Sequence, residues 1–300
     1  MDKEKIIIRA LSPNDIPVMY EAFLLAFSDY AVNFNLSYEQ FVNKFIHKLQ
    51  INFRLSAGAF FGEQLIGFLF TSLGNYQNEY LAYNGGTGVI PEFRGRELTK
   101  RMYQYLLPGL LDEKVQKCCL EVITSNINAV KAYMSIGFRR TKLFHCFKLL
   151  PAQNQDLRSF SYNNIYPVAN LDWNVVKTFA DVSPSFLDSF DVLPGRLKNE
   201  KIIVSTENQQ ILGYAIYQPE IGRISQLAVK KEFRRKRIGT SLMAYIYDDS
   251  NEKNLTAINV QAEAKDLISY FKFLKFENQV DQYEMRLSLD RDKIIPKHCK

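Results

Sequence analysis

The residues in this 300-residue chain whose types and spacing suit chemistry begin with the stretch VIPEFRGRELT (89–99). An apolar strand that runs through an Arg/Gly-rich turn into a helix gathers unpaired backbone N–H groups and the positive end of the helix dipole at one spot. That arrangement suits a pyrophosphate or another anion. A second stretch, NINAVKAYMSIGF (126–138), reads as an amphipathic helix stopped by Gly137, with Ala129 and Tyr133 on one face. Tyr133 alone reads equally as an aromatic packed on a sheet. Glu79 and Tyr83 fall on the strand entering the turn and Glu121 on the next strand. A carboxylate there can take a proton through water or serve as a paired structural charge.

Other chemistries find little support. The three histidines, His47, His145 and His298, have no second ligand at metal-binding spacing, which disfavours a zinc site or a Ser-His-Asp hydrolase, and no metal is expected. Cys118, Cys119, Cys146 and Cys299 read as reduced core thiols, not a disulfide framework. The run KKEFRRKR (230–237) packs six basic residues into eight. It could be a phosphate loop, a solvated charge run or a nucleic-acid patch. Without interleaved aromatics or a DNA-binding helix pair, phosphate or solvent is favoured over nucleic acid. Net charge is only +6, from 38 basic and 32 acidic residues. With no apolar window of membrane-spanning length and no signal-peptide pattern at the start, a cytoplasmic protein without membrane association is expected.

The elements that must position these residues come in two sets. The length favours two domains, and the polar, turn-prone PAQNQDLRSFSYNN (151–164) reads as the linker, giving domains at 1–152 and 160–300. VIPEFRGR (89–96) and VKKEFRRK (229–236) match at an offset of 140, and QLIGFLF and QILGYAIY answer one another upstream. SIGFRR answers FLKFEN downstream, so the repeat spans a whole domain. In the first half a strand, two helices (the second opened by a Ser37/Gln40 capping box) and three strands precede the turn. A helix that Pro108 ends or kinks, a strand, the 127–136 helix and a last hairpin-like pair follow. The expected class is α+β (mixed α/β), each half a mixed, mostly antiparallel sheet flanked by helices.

VIPEFRGRELT, followed some thirty residues later by NINAVKAYMSIGF, resembles the GCN5-related N-acetyltransferase (GNAT) superfamily. That family's pattern is Val-x-Pro, an Arg/Gln-x-x-Gly-x-Gly/Ala turn for the acetyl-CoA pyrophosphate, and an Asn-x-x-Ala-x-x-x-Tyr-x-x-x-Gly-Phe helix. The basic run in VKKEFRRKRIGTSLM resembles a second copy of the turn, so the resemblance implies two tandem GNAT-like domains. In the first half Val89, Pro91, Arg94, Asn126, Ala129, Tyr133, Gly137 and Phe138 match, while Glu97 and Thr99 replace the two small residues. In the second, Arg234 and Gly239 match and Arg237 replaces a glycine. Aligned through Phe276, its late helix offers Ala264, Leu267, Phe271 and Lys275 at the motif positions, and Tyr270 sits one residue, about 100° of helix, off the expected face.

The resemblance implies acetyl-CoA as cosubstrate and a primary amine of a small molecule or peptide as acceptor. It makes the first half catalytic and the second degenerate. Implied cosubstrate contacts are Val89, Arg94, Gly95, Arg96, Leu98, Thr99, Asn126, Ala129, Arg234 and Gly239, with the backbone near Val89 donating to the thioester oxygen. Tyr133 is the candidate general acid, and Glu121, Glu79 or Tyr83 the candidate route to a base. The competing readings are a non-catalytic CoA-binding or scaffold protein and, more weakly, a nucleic-acid-associated one. Tyr20, Phe23, Phe27, Tyr30, Phe34 and Tyr76 could line an acceptor cleft or form core, with core the expected use at helical spacing. Acceptor identity and oligomeric state are not legible.

Overall fold

Alternating and apolar stretches of the sequence become twelve strands and seven α-helices among the residues that the computed structural model describes, 5–29, 36–150, 157, 160–162 and 164–290. Tyr30, Phe34, His298, Cys299 and most of the expected linker lie outside the described residues. The first half runs β1 (Ile7–Ala10), α1 (Ile16–Ala26), α2 (Tyr38–Val42), β2 (Ala57–Phe61), β3 (Gln64–Tyr76), β4 (Glu79–Val89), α3 (Leu98–Asp112), β5 (Lys117–Ile123), α4 (Ile127–Ile136) and β6 (Arg139–Leu149). The second runs β7 (Ile165–Val168), α5 (Trp173–Val176), β8 (Lys201–Glu207), β9 (Gln210–Gln218), β10 (Arg223–Val229), α6 (Ile238–Asp249), β11 (Leu255–Gln261), α7 (Lys265–Phe273) and β12 (Glu277–Ser288).

The chain forms two compact units, Met1–Thr141 with Glu284–Lys300, and Lys142–Tyr283. In the first, β1 to β4 pair antiparallel, β4 and β5 pair parallel, and the end of β12 lies beside β5, where Leu289 N–H donates to Gln116 O at 2.9 Å. In the second, β7 to β10 pair antiparallel, β10 and β11 pair parallel, and β11 pairs antiparallel with β6 from Phe144 to Leu149. The mixed, mostly antiparallel sheet read from the sequence is thus built twice. The first unit takes its last strand from the far end of β12, and the second begins with β6, ahead of the expected linker.

Local chemistry sets the element ends. Ser37 Oγ accepts from Gln40 N–H at 3.1 Å while Gln40 Oε1 accepts from Ser37 N–H at 2.9 Å, the reciprocal box that opens α2. Asp15 caps the Ser12 backbone at 2.7 Å and is held by Arg9 at 2.7 and 2.9 Å. Gln77 and Asn78 both have positive φ and form the two-residue turn whose twist suits the β3–β4 hairpin. Pro108 neither ends nor breaks α3, which continues to Asp112. The buried Leu106, Leu110 and Leu111 on either side hold it down, and their packing outweighs the missing proline N–H.

The core of the first unit is aromatic. Phe23, Phe41, Phe45, Phe68 and Phe70 are all nearly inaccessible and pack α1 and α2 onto β3, with Phe68 and Phe70 stacked at 4.5 Å. Phe23 and Tyr76 are therefore core, whereas Tyr20 and Phe27 are half-buried. Gly85 is the extra residue where the β3–β4 register shifts, and a Cβ there would lie 2.5 Å from Leu49. Only glycine lets the helical layer approach β4 so closely.

Candidate functional site

Each unit has a place where two parallel strands part. β4 is in register with β5 from Leu81 to Asn84 and then runs on alone towards Val89, and β10 is in register with β11 only at Arg223 and Ile224 before running on to Val229. Ile90 N–H donates to Ile66 O at 3.0 Å and Lys230 N–H to Leu212 O at 2.8 Å. Successive residues of an antiparallel strand face opposite sides, so the N–H and C=O of Val89 and Val229 point away from β3 and β9, into the partings. Both partings end on a helix N-terminus. The first intrahelical bonds are Arg101 N–H to Glu97 O and Ser241 N–H to Arg237 O, which leaves the N–H groups of Leu98–Lys100 and Ile238–Thr240 ahead of the ladder.

The two turns share one conformation. Gly95 and Glu97 have φ of +76° and +54°, and Arg235 and Arg237 both have φ of +63°. At Glu97, Arg235 and Arg237 an L-residue occupies a conformation in which it costs about 1–2 kcal/mol. The Glu97 side chain is 72% exposed and reaches Lys100 at 3.5 Å, so its carboxylate turns outward. Arg96 lies over the Phe93 ring at 4.8 Å.

Arg94 and Arg234, the arginines expected to meet phosphate, each have several protein partners. Arg94 donates to Val89 O at 3.1 Å, Ala26 O at 2.9 Å and the Asp29 carboxylate at 2.6 and 2.8 Å. Arg234 donates to Val229 O at 3.1 Å and Phe179 O at 2.9 Å, and pairs with Asp181 at 2.8 Å and Asp266 at 3.2 Å. The hydrogen bond from Arg94 holds the Asp29 carboxyl below the usual carboxylate range. Burial works against ionisation of Asp181, but Arg234 and Lys231 outweigh it and lower its pKa. These arginines tie each strand end to the segment behind it.

Near the first parting, Asn84 Nδ2 donates to Thr87 Oγ1 at 2.7 Å and to Tyr103 Oη at 2.8 Å. Tyr133 is 8% exposed and packs edge-on against Tyr103 and Phe138, at 6.4 and 5.7 Å. Asn126 caps α4, its Oδ1 accepting from the N–H of half-buried Ala129 at 3.1 Å. Tyr83 Oη donates to Glu121. Strand alternation puts Glu121 on the β5 face away from Cys118 and Leu120. Glu79 stands at the opposite end of β4, about 33 Å of strand from Val89, and pairs with Lys117 and Arg286. Burial pushes the Cys118 thiol up to about 12, so it is a core group and not a nucleophile at neutral pH. Among the described residues no group of three or more His, Cys, Asp or Glu is placed to hold a metal ion.

The second unit contains a cavity of about 670 Å³ within its parting, bordered by Leu227, Val229, Arg237, Gly239, Asn259 and Tyr270. Phe271, at the motif's tyrosine position, is 1% exposed and packs on Phe147 and Phe276. The 100° step that takes Tyr270 off that face turns it onto the start of α6, where a Cβ on Gly239 would lie 3.4 Å from Tyr270 Oη. Sequence reasoning missed the carboxylate partners Asp29 and Asp181, the Asn84–Tyr103 contact and the target of Tyr270. The visible signal for the last was a phenol one helical step from a core phenylalanine.

Comparison with known proteins follows this geometry. A model described as "Acetyltransferase (GNAT) family" matches residues 19–138, and one described as "Acetyltransferase (GNAT) domain" matches 174–286. A putative acetyltransferase from Pyrococcus horikoshii is 17% identical with a TM-score of 0.71, covering 96% of this chain and 91% of its own. A GCN5-related N-acetyltransferase from Sphaerobacter thermophilus is 14% identical at 0.71, covering 95% and 96%. A tandem GNAT protein from the clavulanic acid biosynthesis pathway is 12% identical at 0.70, covering 95% and 99%. At these identities the likeness is one of fold. No curated protein matches the chain.

Proposed function

This chain belongs to the GNAT acetyltransferases in both of its halves, and we propose that it transfers the acetyl group of acetyl-CoA to a primary amine of a small molecule or peptide. The observation that carries this reading is the strand parting closed by a helix N-terminus, present in both units. Such a parting admits an extended pantetheine, and the N–H groups at its end suit the pyrophosphate. The residues fit the group: Glu97 turns its charge outward, and Gly239 places no side chain of its own at the start of α6.

Chemistry is assigned to the first unit. The Val89 N–H would donate to the thioester oxygen and stabilise the charge that grows there during attack. The amine, its proton released towards the Tyr83–Glu121 pair through water, would attack the carbonyl carbon. As the carbon–sulfur bond breaks, Tyr133 would give its phenolic proton to the departing thiolate. Glu79, at the far end of β4, has no part in this scheme. The second unit, with Phe271 where the acid would be, is assigned the binding of a CoA-type molecule in its cavity. Three buried free thiols are in keeping with a cytoplasmic setting.

A second reading, CoA binding without transfer, draws on the depth at which Tyr133 is packed. Thiol release from acetyl-CoA, measured with a panel of polyamines, amino sugars and lysine peptides, separates the two. Acceptor-dependent release supports the transferase, and tight CoA binding with no release on any acceptor supports the second reading.

A further inference from the structure

We propose that α7 grips the nucleotide end of a CoA-type ligand in the second unit, the Tyr270 hydroxyl donating a hydrogen bond to a phosphate on the N-terminus of α6 and Phe273 forming a shelf for the nucleobase. This inference rests on the reading that the cavity of the second unit holds such a ligand.

Tyr270 Oη is buried, and beyond the Thr240 side chain, which lies close enough to lower its pKa without completing a well-formed hydrogen bond, it meets no partner among the described residues. A hydroxyl in that state is costly unless a ligand completes it. Its surroundings identify that ligand. The phenol end of the ring lies over Gly239, whose N–H stands ahead of the α6 hydrogen-bond ladder, and both residues border the same cavity. An anion seated on those N–H groups would lie beside Oη and offer it an acceptor. Burial raises the Tyr270 pKa, with nearby Thr240 partly opposing, so the phenol is a neutral donor, matched to the acceptor-only oxygens of a phosphate.

Phe273 lies about one helical turn beyond Tyr270, at i+3 on the same side of α7, and borders the same cavity while 69% exposed. A large aromatic left in water at the rim of a cavity, with Arg235 and Arg237 on the same rim, suits stacking by the base of a polyanionic ligand. The corresponding positions of α4, aligned through Phe138 and Phe276, are Ala132 and Ser135, which can do neither. The grip therefore belongs to the second unit, and to a helix whose motif position, Phe271, has been given to the core.

Calorimetric titration of the full-length chain with coenzyme A, adenosine 3′,5′-bisphosphate and pantetheine tests this. Tyr270→Phe should weaken coenzyme A at one site per chain by about 10- to 100-fold. Phe273→Ala should weaken it at the same site by about 5- to 100-fold. The bisphosphate should follow coenzyme A, and pantetheine should be indifferent to both changes. Phe273 is exposed and Tyr270→Phe keeps the ring, and circular dichroism confirms that the variants fold. Unchanged coenzyme A binding in both variants, with binding by the parent intact, overturns the grip alone. A parent chain that binds no coenzyme A overturns the cavity reading and the grip with it.

Discussion

The Arg94 guanidinium donates through Nε to the carbonyl of Val89 at 3.1 Å, five residues back along its own turn, and Arg234 repeats the contact with Val229 at the same distance. The bond fixes the carbonyl of the residue whose N–H faces the strand parting. In both units the outer nitrogens then reach a backbone carbonyl and an aspartate. One side chain type therefore holds the same turn twice, though only one of the two turns contains a glycine at its second position.

Arg94→Ala should lower the melting temperature and weaken coenzyme A binding together, since the loss is of turn geometry. Arg94 and Asp29 are both about half exposed, so a double-mutant cycle between them should return a coupling of only about 0.5–1 kcal/mol. Direct phosphate contact would instead leave the melting temperature untouched and reduce only binding.

Tyr133→Phe should lower kcat by about 10²–10⁴ with little change in coenzyme A affinity. The ring would still pack on Tyr103 and Phe138. Full turnover in the variant would remove Tyr133 from the mechanism.

Proteolysis tests the domain division at 151–164. A cut there should give two fragments that co-elute in gel filtration and separate only in denaturant. The first unit needs Glu284–Leu289 from the later fragment, and the second needs Lys142–Leu149 from the earlier one. Fragments that part freely in native buffer would contradict the shared strands.

The Arg9–Asp15 pair sets an acid dependence. Hydrogen bonding from Arg9 lowers the Asp15 pKa from 3.8 to about 2, so its stabilisation is fully present above the unfolded value and is lost as pH falls through about 2. Arg9 is half in water, so the pair is worth about 1–2 kcal/mol at neutral pH. Asp15→Asn should lower the melting temperature at pH 7, with the difference narrowing below about pH 4 and vanishing only as pH falls below about 2.

Elements whose evidence is local were legible in the sequence. Alternation and turn residues located the strands, Ser37 and Gln40 the start of α2, and Gly137 the end of α4. The repeat located both arginine-containing turns. Contacts between distant residues were not legible. Arginine in a glycine-containing turn reads as an anion ligand by type, and nothing marks Asp29, 65 residues upstream, as its partner. The sharing of β6 and β12 is invisible for a different reason. A strand's apolar pattern records which face is buried but not which neighbour covers its edge. The 100° turn of Tyr270 off the motif face was legible, but its target at the start of α6 was not, because a helix wheel gives a direction and not the neighbour that stands there.

The shared strands also fix an order of manufacture. On the ribosome β5 emerges long before Glu284, so it waits with an open edge until β12 has been made. A transcript cut short after the first turn and its helices, or even after most of the second unit, would release a polypeptide with that edge still bare and prone to pair with other nascent chains. Completing β12 is thus itself a quality check on the product.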